Sequence, residues 1–137
     1  MTTQMNNLLI FIGRLTMALL FIPAGLVKIT GFSGTVGYIE SVGLPLAAIG
    51  AVMTIVIEII SGLALLLGAY TRINALALAL FTLVASVIFH AYWAVPADQA
   101  FMQQLLFFKN IAVVGGLLIL AAAGAGQWSV DHKRSTS

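Results

Sequence analysis

Four apolar runs, each about 20 residues long and nearly free of charge, restrict this chain to helices that cross a lipid bilayer. Inside a bilayer no water satisfies backbone N–H and C=O groups, so a lone run of that length can span only as an α-helix, whose hydrogen bonds are all internal. The runs fall at residues 7–27, 46–67, 73–93 and 104–123. They predict an all-α integral membrane protein, a four-transmembrane-helix bundle forming one domain over residues 1–137. Hydrophobic residues make up 61% of the chain and charged residues 7%, too little charge to clothe a water-facing surface. Four spans consume about 80 residues. No room is left for a separate soluble catalytic domain, so any chemistry has to lie within the bundle or at its rim.

The connections carry their own signals. The first run is too long for a signal-peptide core, contains Arg14 and lacks a small-x-small cleavage site, so it is expected to stay as a span. Pro23 removes the hydrogen bond to the Leu19 carbonyl and predicts a kink there. Between the first two runs, Val36, Ile39 and Val42 recur every three residues among Gly34, Gly37 and Gly43, which predicts a short interfacial helix or re-entrant segment. Pro45 opens the second span, Gly68 to Arg72 reads as a tight turn, and Asn74 caps or flanks the third span. Tyr92 and Trp93 mark an interface at its far end. Residues 94–102 read as a polar loop around Pro96 and Asp98. Gly124 and Gly126 end the fourth span, and residues 129–137 read as a frayed polar tail.

Ionisable side chains at bilayer depth cost at least about 2.5–3.5 kcal/mol each, so each needs a partner, a wet cavity or a route to the headgroups. Arg14, Lys28, Glu58, His90 and Lys109 are in that position. Arg14 and Glu58 lie roughly 10 and 15 Å in from the same side, a difference arginine can bridge, which predicts a buried Arg14–Glu58 ion pair or proton relay. The alternative is that Arg14 snorkels to the headgroups. His90 and Lys109 lie roughly 6–8 Å below the opposite surface on consecutive antiparallel spans. With Asn110, Tyr92 and Lys28 nearby, they form the candidate ligand-binding group. Thr82, Ser86 and His90 repeat every four residues and give the third span one polar stripe facing inward. The plainer alternatives are a His90 bonded to a neighbouring carbonyl and a Lys28 that snorkels.

Several chemistries drop out. Without cysteine there is no disulfide, thiol relay or thiolate metal site. No metal-ligand cluster is visible, and His90 and His132 fall on opposite sides of the membrane, which argues against bis-histidine haem. A Ser86–His90–Asp98 triad is disfavoured because Asp98 falls in a loop while Ser86 lies one turn deeper than His90. No catalytic residue is assigned. The six Lys and Arg are scattered and leave no nucleic-acid footprint.

The same residues carry a family resemblance. Arg14, the run Ala24 to Phe32, Tyr38, Glu58 followed by Gly62 to Gly68, Thr71-Arg72, Phe89-His90, Phe108-Lys109-Asn110 and Ser129-Val130-Asp131 resemble the DoxX family in order and spacing over nearly the whole chain. The resemblance implies a four-helix bundle in a bacterial inner membrane. It also implies a leaning toward membrane redox, quinone and oxidative-stress physiology, since founding members are described as subunits of quinone-linked oxidoreductases. Fold likeness does not carry function by itself. The expectation is an accessory protein that binds a quinone-like or other amphipathic ligand, quinone being the one cofactor in view. The expected partners are membrane lipid, a redox protein and further copies of the chain. A non-enzymatic scaffold and a small oligomeric transporter stand as alternatives. An even number of spans puts both termini on one side, with Arg72, Lys133 and Arg134, against Lys28, Glu40 and Asp98 on the other. The positive-inside rule then predicts cytoplasmic termini.

Overall fold

Thr2 starts the first helix, its hydroxyl accepting the Met5 amide hydrogen. In the computed structural model, which describes residues 2–136, six helices follow: α1 (Thr3–Thr30), α2 (Phe32–Ser41), α3 (Ala47–Leu67), α4 (Thr71–Phe89), α5 (Ala97–Ala123) and α6 (Val130–Ser135). Four of these, α1, α3, α4 and α5, are long and apolar enough to cross a membrane. The four-span helical architecture expected from the sequence is therefore present, with α2 as the short helix between the first two spans.

Boundaries differ where local chemistry overrode hydropathy. α1 runs unbroken through Pro23 to Thr30. The third span ends at Phe89 with His90 as its cap, and Tyr92–Ala94 form a single 3-10 turn. The expected loop at 94–102 is mostly helix: α5 starts at Ala97, with Pro96 as its N-terminal cap and Asp98 in its first turn. Both choices suit a helix start. Proline has no N–H to waste there, and a carboxylate favours the positive end of the helix dipole.

Packing joins α1 to α3 and α4 to α5, with α3 against α4 linking the two pairs. Gly25 permits the first contact: a Cβ there would sit 2.6 Å from Ile59 Cγ1 and 3.4 Å from Glu58 Cβ. The core is small and built from Phe21, Leu65, Leu78 and Leu117 with Ala75, Ala79 and Ala121 between them. A second cluster seats α2 on α3 through Ile39, Ala47 and Ala51. Large apolar side chains such as Leu19, Val27, Ile60, Leu80 and Ile119 point outward. That arrangement suits a bundle whose solvent is lipid.

At the end of the bundle that holds both termini, two arginines cap helix C-termini. α3 closes in a Schellman turn, with Gly68 at φ 68°, the Gly68 amide bonded to Leu65 O and the Ala69 amide to Ala64 O. Arg14, fully buried, donates to Leu65 O at 3.1 Å, Leu66 O at 3.4 Å and Trp128 O at 2.5 Å. Arg72 does the same for α5, donating to Ala121 O and Ala122 O at 2.6 and 2.7 Å. A cation at a helix C-terminus meets both the orphan carbonyls and the negative end of the dipole.

The segment after α5 is docked rather than frayed. Asn7 and Gln127 exchange hydrogen bonds of 2.8 and 3.1 Å, and Ser129 caps α6 by accepting the His132 amide. Asp131 in turn accepts the Tyr70 and Thr71 amides at 2.7 and 2.8 Å, capping α4. These bonds hold Tyr70 at φ 47°, a region that side-chain-bearing residues seldom enter. Burial pushes the Asp131 carboxyl up, but the amide bonds from Thr71 and Tyr70, the Thr71 side chain and the nearby Arg134 outweigh it, leaving it below its ordinary range. The caps therefore persist into acid pH.

Candidate functional site

Toward the opposite end of the bundle the polar side chains gather around one cavity of about 330 Å³. α1 contributes Lys28, α3 Glu58 and Thr54, α4 Thr82, α5 Lys109 and Asn110, and α2 Thr35 and Tyr38; His90, capping α4, completes the polar set. Phe21, Phe81, Phe89, Ile39 and Leu20 supply apolar wall. That size and mixture, apolar with a few convergent polar groups, is the usual make-up of a small-molecule site.

Glu58 is paired with Lys28, not with Arg14. Lys28 Nζ lies 2.8 Å from Glu58 Oε2 and 3.0 Å from Oε1, and the carboxylate side chain is only 7% exposed. The expected Arg14–Glu58 pair fails because helical side chains lean toward their own N-terminus. On α1 that tilt carries Arg14 away from the bundle centre, to the end where antiparallel α3 terminates. The same tilt carries Lys28 back over Ala24, whose carbonyl is 3.4 Å from Nζ, and down onto Glu58. Lys28 thus neither snorkels nor stands alone.

His90 is fixed by Gln103, with Nδ1 2.9 Å from Oε1. Gln103 Oε1 can only accept, so Nδ1 donates in this bond and Nε2 is the ring nitrogen left over. Ser86 lies in the expected inward stripe and spends its hydroxyl on Thr82 O at 2.6 Å. Tyr38 stacks on Phe89 with ring centroids 5.2 Å apart and donates to Phe89 O at 3.3 Å, closing the cavity with α2.

Three lining groups are left with chemistry to offer. The Thr82 hydroxyl is buried without a hydrogen-bond partner. The side chains of Lys109 and Asn110 have no hydrogen bond or ion pair among the described residues. Tyr92, expected in the same group, does not line the cavity. It packs instead among Trp93, Phe107 and Phe108, with centroids 5.1 to 6.0 Å away. The 3-10 turn that follows His90 swings it out of register with the α4 stripe.

Two further residues shape the site: Tyr38, which lines the cavity, and Gln103, which holds His90. Gln103 precedes Asn110 by seven residues, two helical turns, so both share one face of α5. Tyr38 sits one residue before the buried Ile39, on the short helix α2.

These features define a four-span helical membrane protein with a polar, aromatic-walled cavity near one end of its bundle. The chain belongs to the DoxX family, whose model matches residues 9–91. It is 38% identical over 129 residues to inner membrane protein YqjF of Escherichia coli (strain K12), covering 94% of each chain. It is 35% identical over 125 residues to inner membrane protein YphA of the same organism, covering 91% of this chain and 89% of that one. A more distant relative is a Surfeit locus protein 4 homolog of Schizosaccharomyces pombe, 34% identical over 70 residues, which is 50% of this chain and 23% of that one. No solved structure matches.

Proposed function

We propose that this is a bacterial inner-membrane protein whose cavity holds a quinone-like ring ligand, as an accessory to a membrane redox or quinone-stress system. The observation that carries the proposal is the convergence of three unpartnered polar groups, Thr82, Lys109 and Asn110, on one cavity walled by Phe21, Phe81 and Phe89. A quinone offers carbonyl acceptors on a flat apolar ring. The site offers donors and flat walls, and the His90 Nε2 acceptor suits the hydroxyl of the reduced form. The two Escherichia coli relatives, both named inner membrane proteins, support the location.

The test is titration of a short-chain quinone into purified protein in detergent. Saturable binding is expected in the wild type. Lys109→Ala should weaken it about tenfold or more, as loss of a hydrogen bond from a charged donor does, and His90→Ala should do the same for the reduced, hydroxyl-bearing form, with melting temperature retained in both. Wild type that shows no saturable binding ends the ligand reading and leaves a membrane scaffold in its place.

The same proposal puts both termini in the cytoplasm, since Arg72, Lys133 and Arg134 share their side of the bundle. Reporters fused after Ser137 and in the α3–α4 turn should read cytoplasmic, and one at residues 96–98 periplasmic. A periplasmic signal from the C-terminal fusion reverses the assignment.

A further inference from the structure

We infer that the cavity selects ring ligands in their ionised, anionic form, with Lys109 as the residue that reads the charge. The inference rests on the ligand reading above and adds a substrate class to it.

It comes from a count of charges at the site. The chain has four acidic residues, Glu40, Glu58, Asp98 and Asp131. Glu58 is committed to Lys28 through both of its oxygens, so that pair contributes no net charge to the cavity. Asp131 caps α4 at the far end of the bundle. Glu40 is exposed on α2, and Asp98 lies in the first turn of α5, eleven residues and roughly 16 Å along the helix from Lys109. Lys109 therefore lines the cavity as a cation with no acid partner among the described residues. It lies six residues, roughly 9 Å, deeper along α5 than the Gln103 that holds His90.

Lys109 is exposed on the bundle surface as well as to the cavity, and at bilayer depth that surface meets lipid, which supplies no counter-charge; neither does a neutral ligand. A ring oxygen that has lost its proton does. If that oxygen neighbours a carbonyl, the two acceptors face the adjacent donors Lys109 and Asn110 together, and the Thr82 hydroxyl remains for a further oxygen. The ligand class is then an acidic hydroxyquinone or related phenolate, apolar in its ring and anionic at its rim. The already neutralised Lys28–Glu58 pair, seated below, adds no opposing net charge.

Two matched probes test this at one pH in an uncharged detergent. One is a hydroxynaphthoquinone whose hydroxyl adjoins a carbonyl and is ionised at neutral pH; the other is its methyl ether, which stays neutral. Wild type should bind the anion about tenfold or more tightly than the ether. Lys109→Arg should keep that preference and Lys109→Gln should remove it while still binding the ether, which also corrects for partition into the micelle. The wild-type comparison stands on its own if a variant does not fold. Equal affinity for both probes overturns the charge inference and leaves the cavity reading intact, as does an anion preference that survives in Lys109→Gln. Saturable binding of neither probe overturns both.

Discussion

Replacing Arg14 with methionine should destabilise the protein by about 3–5 kcal/mol, the loss seen when one partner of a buried charged interaction is removed. Methionine matches much of the apolar length of arginine, so little of the loss would come from a void. The loss arises because Leu65 O, Leu66 O and Trp128 O all give up the same donor. Hydrogen bonds to a charged group contribute about 1.5–3 kcal/mol each, and the three share one guanidinium, so they do not simply add. Position compounds the effect. One side chain of α1 ties down the end of α3 and the segment after α5, and through that segment the Asp131 cap on α4. The variant Arg14→Lys keeps the charge without the planar fork and should recover less than half of the loss. Denaturant unfolding in mixed micelles measures the wild type and both variants. A loss below about 1 kcal/mol for Arg14→Met would show the guanidinium to be a surface-type interaction despite its burial.

How much of this was legible in the sequence depended on which physical rule governed each residue. The spans were legible because lipid leaves a chain few choices, and the charged residues stood out because lipid penalises them. The gathering of Lys28, His90, Lys109 and Asn110 at one cavity followed from depth alone, since antiparallel spans bring equal depths together. Depth did not decide partners. Arg14 and Glu58 lie at compatible heights, yet the lean of side chains toward the helix N-terminus sends Arg14 outward and Lys28 inward. The start of α5 is hidden because Pro96 and Asp98 suit a loop and a helix start alike, and hydropathy does not separate the two. The docking of the tail is invisible locally because its anchors, Asn7, Gly68 and Tyr70, lie 60 or more residues away in sequence.

The ion pair that did form makes the sharpest test of that side-chain argument. Lys28→Met leaves the Glu58 carboxylate in a buried site with no cation bonded to it, and should cost about 3–5 kcal/mol. Glu58→Gln leaves a lysine whose side chain is 29% exposed and retains a contact to the Ala24 carbonyl, so its loss should be smaller. Removing both charges together should cost well under the sum, with a coupling of about 1–3 kcal/mol, because neither charge is then stranded. The control is the pair the structure keeps apart. Arg14→Met combined with Glu58→Gln should add to within about 0.5 kcal/mol, since Leu65 lies seven residues from Glu58, roughly 10 Å along α3, and the two side chains share no partner. Coupling in the control cycle and additivity in the Lys28–Glu58 cycle would reverse the assignment. It would then return Glu58 to Arg14 and leave Lys28 at the headgroups.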